Sequence, residues 1–192
     1  TSAASPAASA SGAVPERASG YNQPAQQILD VLRAPSPPRP YLSPTGDTLL
    51  LVSWVDYPPM SQVAEPFLRL AGLRVEPRTR RKHDTQRGYG VAQCARDMSL
   101  IDVASGKETR VALPQGGCAD AVIWAADGKR FAFRNTSSEA VELWMGNSSR
   151  GEVHRVGDVR LNPMIGISTT QWMPDQKTLL VKLVPEDAGP AP

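Results

Sequence analysis

One short phrase recurs three times along this chain, and it constrains the fold more than any other feature. The versions are "LSPTGDTLLLV" at 42–52, "WAADGKRFAF" at 124–133 and "WMPDQKTLLV" at 172–181. Each has an apolar or aromatic lead, a tight turn with an aspartate, and then a run of strand-forming residues. Trp124 and Trp172 stand 48 positions apart, within the roughly 40–50 residues that separate blades of a β-propeller. From Leu42 to Trp124 is 82 positions, one such interval plus an insertion, and an arginine-rich stretch between them is the obvious extra. A four-stranded sheet cannot bury both of its faces alone, so a recurring strand-turn-strand unit implies neighbours that cover each other. The spacing favours a propeller over a single β-sandwich with unrelated turns.

The remaining texture agrees. "YNQPAQQILDVLRAP" predicts a short helix, with Pro24 suited to a first-turn position, Ile28 and Leu32 four apart, and Pro35 at its end. "APSPPRP" enforces an extended passage. From there strands and turns follow: "DTLLLVSWV", the short strand candidate "LAGLRVEP", two strands around "DVASGK", and hairpins turning at "ADGK" and "GNSSRG". "RTRRKHDTQRGYG" has no apolar periodicity and reads as a loop or hairpin tip. The expected fold class is all-β. A partial β-propeller of about three blades occupies 40–185, preceded by a disordered leader over 1–20 and a short helix with a Pro-rich strap over 21–39. Residues 186–192 read as a Pro-rich linker or cleavage region. About 150 residues make three to three and a half blades at the usual repeat length, whereas closed rings have at least four. The expectation is therefore part of a propeller.

Composition narrows the function classes. With 41% hydrophobic and 21% charged residues, the 192-residue chain is globular in character. A net charge of +2 argues for neither nucleic acid nor membrane partners, and no apolar run approaches the roughly 20 residues of a spanning helix. The small, polar, Pro-interrupted opening reads as the mature end left by signal-peptide removal or as an artificial boundary, and the first reading implies a periplasmic or secreted location. Cys94 and Cys118 fall on segments read as neighbouring strands. A disulfide between them suits an oxidising compartment, and two buried free thiols are the alternative. The two cysteines and two histidines show no metal-ligand spacing, and no cofactor is implied.

The series "YNQPAQQILDVLRAPSPPRPYLSPTGDTLLLV", "LAGLRVEP", an arginine-containing loop running into "GYG", and "WMPDQKTLLVKLVP" resembles a known family. It is similar to the N-terminal region of glutamyl endopeptidases of the prolyl oligopeptidase superfamily, and the likeness covers roughly 21–192. The resemblance implies a two-part serine peptidase. Its propeller gates peptide access to a C-terminal α/β-hydrolase domain with a Ser-Asp-His triad, and cleavage after glutamate is preferred. Peptide substrates, the remaining blades and the hydrolase domain of the same precursor are then the implied partners.

No catalytic residue is expected within these 192 positions. A nucleophile elbow needs Gly-x-Ser-x-Gly, and Gly166-Ile167-Ser168-Thr169-Thr170 lacks the closing glycine. His154 reads as a plain strand residue. Arg80 and Lys82, in a segment approximating the family's pattern, are the candidates for binding a substrate carboxylate, since a guanidinium fork matches that group. A solvated basic loop is the simpler reading of the same stretch. Asn135-Thr136-Ser137 and Asn147-Ser148-Ser149 match glycosylation sequons. The four tryptophans read as core between blades. A non-enzymatic periplasmic propeller that scaffolds protein contacts is the alternative function, because fold alone does not choose.

Overall fold

The structure, a computed structural model, describes residues 23–84, 90–164 and 168–189. The chain divides into two units, one through Pro35 and one from Ser36 onward. The described part of the first contains helix α1 (Gln26–Arg33). Ala25 caps it, its carbonyl accepting from the Ile28 and Leu29 amides, so Pro24 lies just ahead of the first turn rather than in it.

The second unit is built from β-strands, as the sequence leads one to expect. Strands β1 (Arg39–Leu42), β2 (Thr48–Trp54), β5 (Ala95–Asp102) and β6 (Glu108–Arg110) form one antiparallel meander. A second comprises β7 (Cys118–Trp124), β8 (Arg130–Thr136), β9 (Val141–Asn147) and β10 (Val153–Arg155). The two meanders meet at one ladder position, Ala95 opposite Ala119. A third, shorter unit is the hairpin of β11 (Thr170–Trp172) and β12 (Leu179–Val181). Among the described residues the sheets are open and none closes on itself.

The three echoes are the first hairpin turns of these three units, and their backbones close identically. The Ser43, Ala125 and Met173 amides donate to the carbonyls of Thr48, Arg130 and Thr178, at 2.8, 2.9 and 2.9 Å. Inside each loop the amide three residues on, from Gly46, Gly128 or Gln176, returns to that first residue's carbonyl at 3.0 Å. These inner residues take φ of 76°, 67° and 55°, a left-handed conformation that glycine reaches without cost and Gln176 does not. The turns also pack in a row. A Cβ on Gly128 would stand 2.2 Å from Thr45 Oγ1, and the Ala126 amide donates to Gln176 Oε1 at 2.6 Å. Arg130 reaches the Gln176 carbonyl and lies over the Trp172 ring, 5.3 Å from its centroid.

Two apolar cores separate the three units. The first joins Leu50, Val52, Met98 and Leu100 of the first meander to Ala119, Phe131 and Phe133 of the second. The second joins Ala132, Val141, Leu143 and Leu161 to Trp172, Leu179 and Val181. Strand alternation explains how β8 serves both, with Phe131 and Phe133 on one face and Ala132 on the other. In β7 a bulge between Asp120 and Ile123 makes the same sharing possible. Ala119, Val122 and Trp124 all face the first core, a change of parity that only an extra residue allows. Ala121 supplies it at φ 50°. Trp124 stacks edge-on against Phe131 at 5.6 Å, and Phe133 lies 6.4 Å from Trp144. All four tryptophans pack against one core or the other.

Between β2 and β5 lies the insertion that the long first interval implies. It holds α2 (Met60–Val63) and a small meander of β3 (Leu68–Leu70), β4 (Leu73–Val75) and the bridges Val75–Lys82 and Asp84–Val91. "LAGLRVEP" is therefore a hairpin rather than one strand. Ala71 and Gly72, at φ 48° and 85°, form the paired left-handed turn that matches strand twist.

Candidate functional site

The row of turns occupies one end of the two meanders, and the insertion departs from the other. At that far end Cys118 pairs with Thr136 across β7 and β8, and a disulfide joins Cys118 to Cys94, where the insertion returns to the sheet. Beside it opens a cavity of about 770 Å³. Its walls come from the insertion (Gln62, Glu76, Thr79, Arg81), from the disulfide, and from Gly116, Gly117 and Thr136 of the second meander.

The basic stretch contributes to this wall in a way that a solvated loop would not. Thr79, Arg81 and His83 are buried, with 8%, 7% and 2% of their surface exposed. Thr79 and Arg81 flank the left-handed Arg80 of a tight turn, and His83 follows the bridging Lys82. The tip folds back on itself: the Glu76 amide donates to the Arg81 carbonyl and the Arg80 amide to that of Glu76, both at 2.9 Å. Thr79 Oγ1 donates to Glu76 Oε2 at 3.0 Å and accepts the Arg81 amide at 3.2 Å. His83 stacks on Phe67, ring centroids 4.9 Å apart, and its Nδ1 lies 3.5 Å from Glu76 Oε1. Arg74 is held by Asp84 at 2.7 Å.

The Arg81 guanidinium is fixed at two points. Nη1 lies 3.0 Å from Cys118 Sγ, and Nη2 donates to the Ala92 carbonyl at 3.3 Å. Neither partner carries negative charge. Among the described residues no carboxylate comes within ion-pair distance of it. By contrast, Arg134 and Asp120, facing each other across β8 and β7, form a two-point ion pair at 2.8 and 3.0 Å.

Arg80 and Lys82 are less buried than Thr79, Arg81 and His83. Arg80, at φ 57°, lines a different groove and donates to the Gly189 carbonyl at 2.7 Å. Lys82 is half-buried at its bridge with Val75. The structure thus brings Arg81, not these two, to the cavity. The sequence reading takes Arg81 only as part of the basic stretch and Thr136 only as part of a sequon; that both line this cavity depends on how the insertion meets the second meander, which no local pattern carries.

Other sequence candidates are placed elsewhere. His154 is exposed on β10. Ser168 Oγ donates to the Thr170 carbonyl at 2.6 Å, while Gly166 and Ile167 lie outside the described residues. Asn135 is buried at 3% exposure on β8 and not at a turn, so its sequon is not displayed. Asn147 is exposed at the end of β9. Among the described residues no cluster of His, Cys, Asp or Glu gathers as a metal site, and no helix is long and apolar enough to cross a membrane.

Comparison with known proteins links the chain to peptidases. It is 30% identical over 183 residues to the probable glutamyl endopeptidase, chloroplastic, of Arabidopsis thaliana, covering 90% of this chain and 18% of that protein. The protein of the same name in Oryza sativa subsp. japonica is 28% identical over 185 residues, covering 90% of this chain and 19% of its own. The chain thus spans less than a fifth of these relatives. A solved structure assigned to a dipeptidyl aminopeptidase IV of Bacteroides ovatus overlays 70% of this chain and 19% of its own, at 15% identity and TM-score 0.40. No family model matches. The chain is similar in sequence to part of two probable glutamyl endopeptidases, which supports a peptidase-related domain.

Proposed function

We propose that this chain is the propeller portion of a serine endopeptidase that prefers cleavage after glutamate. It gates peptide access to an α/β-hydrolase domain outside these 192 residues. The observation that carries the reading is the sequence similarity to the two probable glutamyl endopeptidases along 90% of the chain. The architecture supports it: the two four-stranded meanders and the third hairpin, stacked through two cores and a row of matching turns, have the form of successive blades. The disulfide supports an exported location, periplasmic or secreted, because such bridges persist in oxidising compartments. Arg80, which lines a separate groove, and Lys82 are the side chains proposed to face substrate carboxylates there.

Treatment of the intact protein with a serine-reactive fluorophosphonate tests the reading, together with hydrolysis of matched peptides carrying glutamate or glutamine at the cleavage point. Covalent labelling and faster cleavage after glutamate are expected. An intact protein that neither labels nor cleaves would leave a scaffolding propeller as the better account. Arg80→Ala is expected to lower the Glu-to-Gln ratio of kcat/KM, and an unchanged ratio removes Arg80 from that role.

A further inference from the structure

We propose that the Cys94–Cys118 disulfide is a thiol-sensitive latch on the insertion, opened by a dithiol that attacks Cys94 while Arg81 stabilises the departing Cys118 sulfur. The proposal concerns thiol–disulfide exchange and does not rest on the peptidase reading.

The two sulfurs have unlike surroundings. Cys118 is buried, and its Sγ accepts from Arg81 Nη1 at 3.0 Å. Cys94 is half-buried, and its Sγ faces the neutral amide of Gln62, with Nε2 at 3.6 Å. Both cysteines line the cavity of about 770 Å³, a volume that admits a small dithiol. A guanidinium donates weakly to a neutral sulfur and strongly to an anion. Among the described residues no carboxylate lies within ion-pair distance of Arg81, so its charge is uncompensated in the oxidised protein. A buried cation in that position favours the state that supplies a negative charge. Cleavage of the bridge supplies one, because the Cys118 thiolate forms where Nη1 already donates. The guanidinium is held ready: Nη2 donates to the Ala92 carbonyl at 3.3 Å, and Gln62 Nε2 donates to the same oxygen at 3.2 Å.

The exchange follows from this asymmetry. One thiolate of the dithiol bonds to Cys94 Sγ, the Cys94–Cys118 bond breaks, and its electron pair leaves on Cys118 Sγ beside Arg81. The second thiol of the reagent, losing its proton to solvent, attacks the reagent sulfur of the mixed disulfide. Cys94 departs and takes a proton from solvent. The dithiol is oxidised to a cyclic disulfide, and two electrons have passed to the protein. Stabilising the reduced form raises the reduction potential of such a bridge. The mechanical consequence lies in the insertion. Among the described residues β5 and β7 pair at one position, Ala95 with Ala119, directly beside the bridge. Opening it removes the covalent tie between the end of the insertion and the second meander, and frees one wall of the cavity from the other.

Equilibration of the full protein with mixtures of reduced and oxidised dithiothreitol tests this, with acid quenching, maleimide tagging and mass measurement of the reduced fraction. Arg81→Met is expected to lower the equilibrium constant for reduction at least tenfold, or about 30 mV in potential. Arg81→Lys, which keeps the cation, should stay within threefold of the parent. A second measurement needs no variant: brief exposure of the parent to a monothiol, quenching and peptide mapping should find the mixed disulfide on Cys94 and a free Cys118. Hydrogen exchange on the reduced parent should rise at least fivefold across residues 60–84 while β8 and β9 keep their protection. The proposal is overturned if the methionine variant titrates like the parent or the lysine variant like methionine. It is equally overturned if the monothiol settles on Cys118, or if reduction leaves the insertion unchanged or exposes β8 and β9 as much.

Discussion

Gly146→Ala puts the interleaved first core to its most direct test. Gly146 lies opposite Phe131 across β9 and β8, and a Cβ built there would stand 2.3 Å from Phe131 Cζ, with Cε1 and Cε2 at 2.7 and 2.9 Å. Ordinary carbon–carbon contacts are about 3.5–4.0 Å, so the ring must move by more than an ångström. It has nowhere to go: Phe131 is fully buried, with Trp124 at 5.6 Å and Phe133 at 6.3 Å. Overpacking of this kind costs about 1–3 kcal/mol, and the size of the required shift places the expectation at about 2–3 kcal/mol. Urea denaturation followed by tryptophan fluorescence measures it, since Trp124 and Trp144 border the site. Phe131→Leu in the same background should relieve the clash, giving a double variant less destabilised than the sum of the singles by about 1 kcal/mol or more. A Gly146→Ala protein within about 0.5 kcal/mol of the parent, or strict additivity with Phe131→Leu, would refute the packing argument.

Other expectations follow from the same geometry. Replacing Cys94 and Cys118 by serine opens a bridge between positions 24 apart, and thermal unfolding should show a loss of about 2–4 kcal/mol. Asp120→Ala leaves the mostly buried Arg134 without its ion-pair partner. It should cost about 3 kcal/mol, whereas the double variant Asp120→Ala/Arg134→Met should recover much of that in denaturant titrations. The Asp175 carboxyl is held below its ordinary value first by the Thr178 hydroxyl and then by the Lys177 and Thr178 amides. Its folded value being depressed, the stability it contributes is present above the ordinary carboxylate range and is lost as pH falls through the folded value. Thr178→Ala should raise the Asp175 titration in carboxyl-resolved NMR, and an unmoved midpoint would discount the hydroxyl's role.

What the sequence disclosed was the local chemistry. The turns at Ser43, Ala125 and Met173 are set by a few adjacent residues, so their likeness was readable and their backbone closure turned out the same. Strands β7 to β10 followed from the same apolar runs and "ADGK" and "GNSSRG" turns. What stayed hidden depends on distant partners. Ala71 adopts a left-handed turn because β3 and β4 must pair, not because alanine favours it. The parity change at Ala121 serves a core contributed by the first meander. Arg81 and His83 belong to a stretch whose polarity spoke for solvent, yet Phe67, Glu76 and the disulfide, brought together only by the fold, surround them.

The row of turns carries a consequence for how such a chain tolerates changes of length. Thr45 abuts Gly128 and Ala126 bonds Gln176, so one residue added to or deleted from any of these loops would displace its neighbours as well. The β2–β5 connection at the opposite end already holds some forty residues while the strands on either side keep their ladder. Natural size variation and engineered grafts are therefore to be sought there, where added sequence extends outward from an undisturbed sheet.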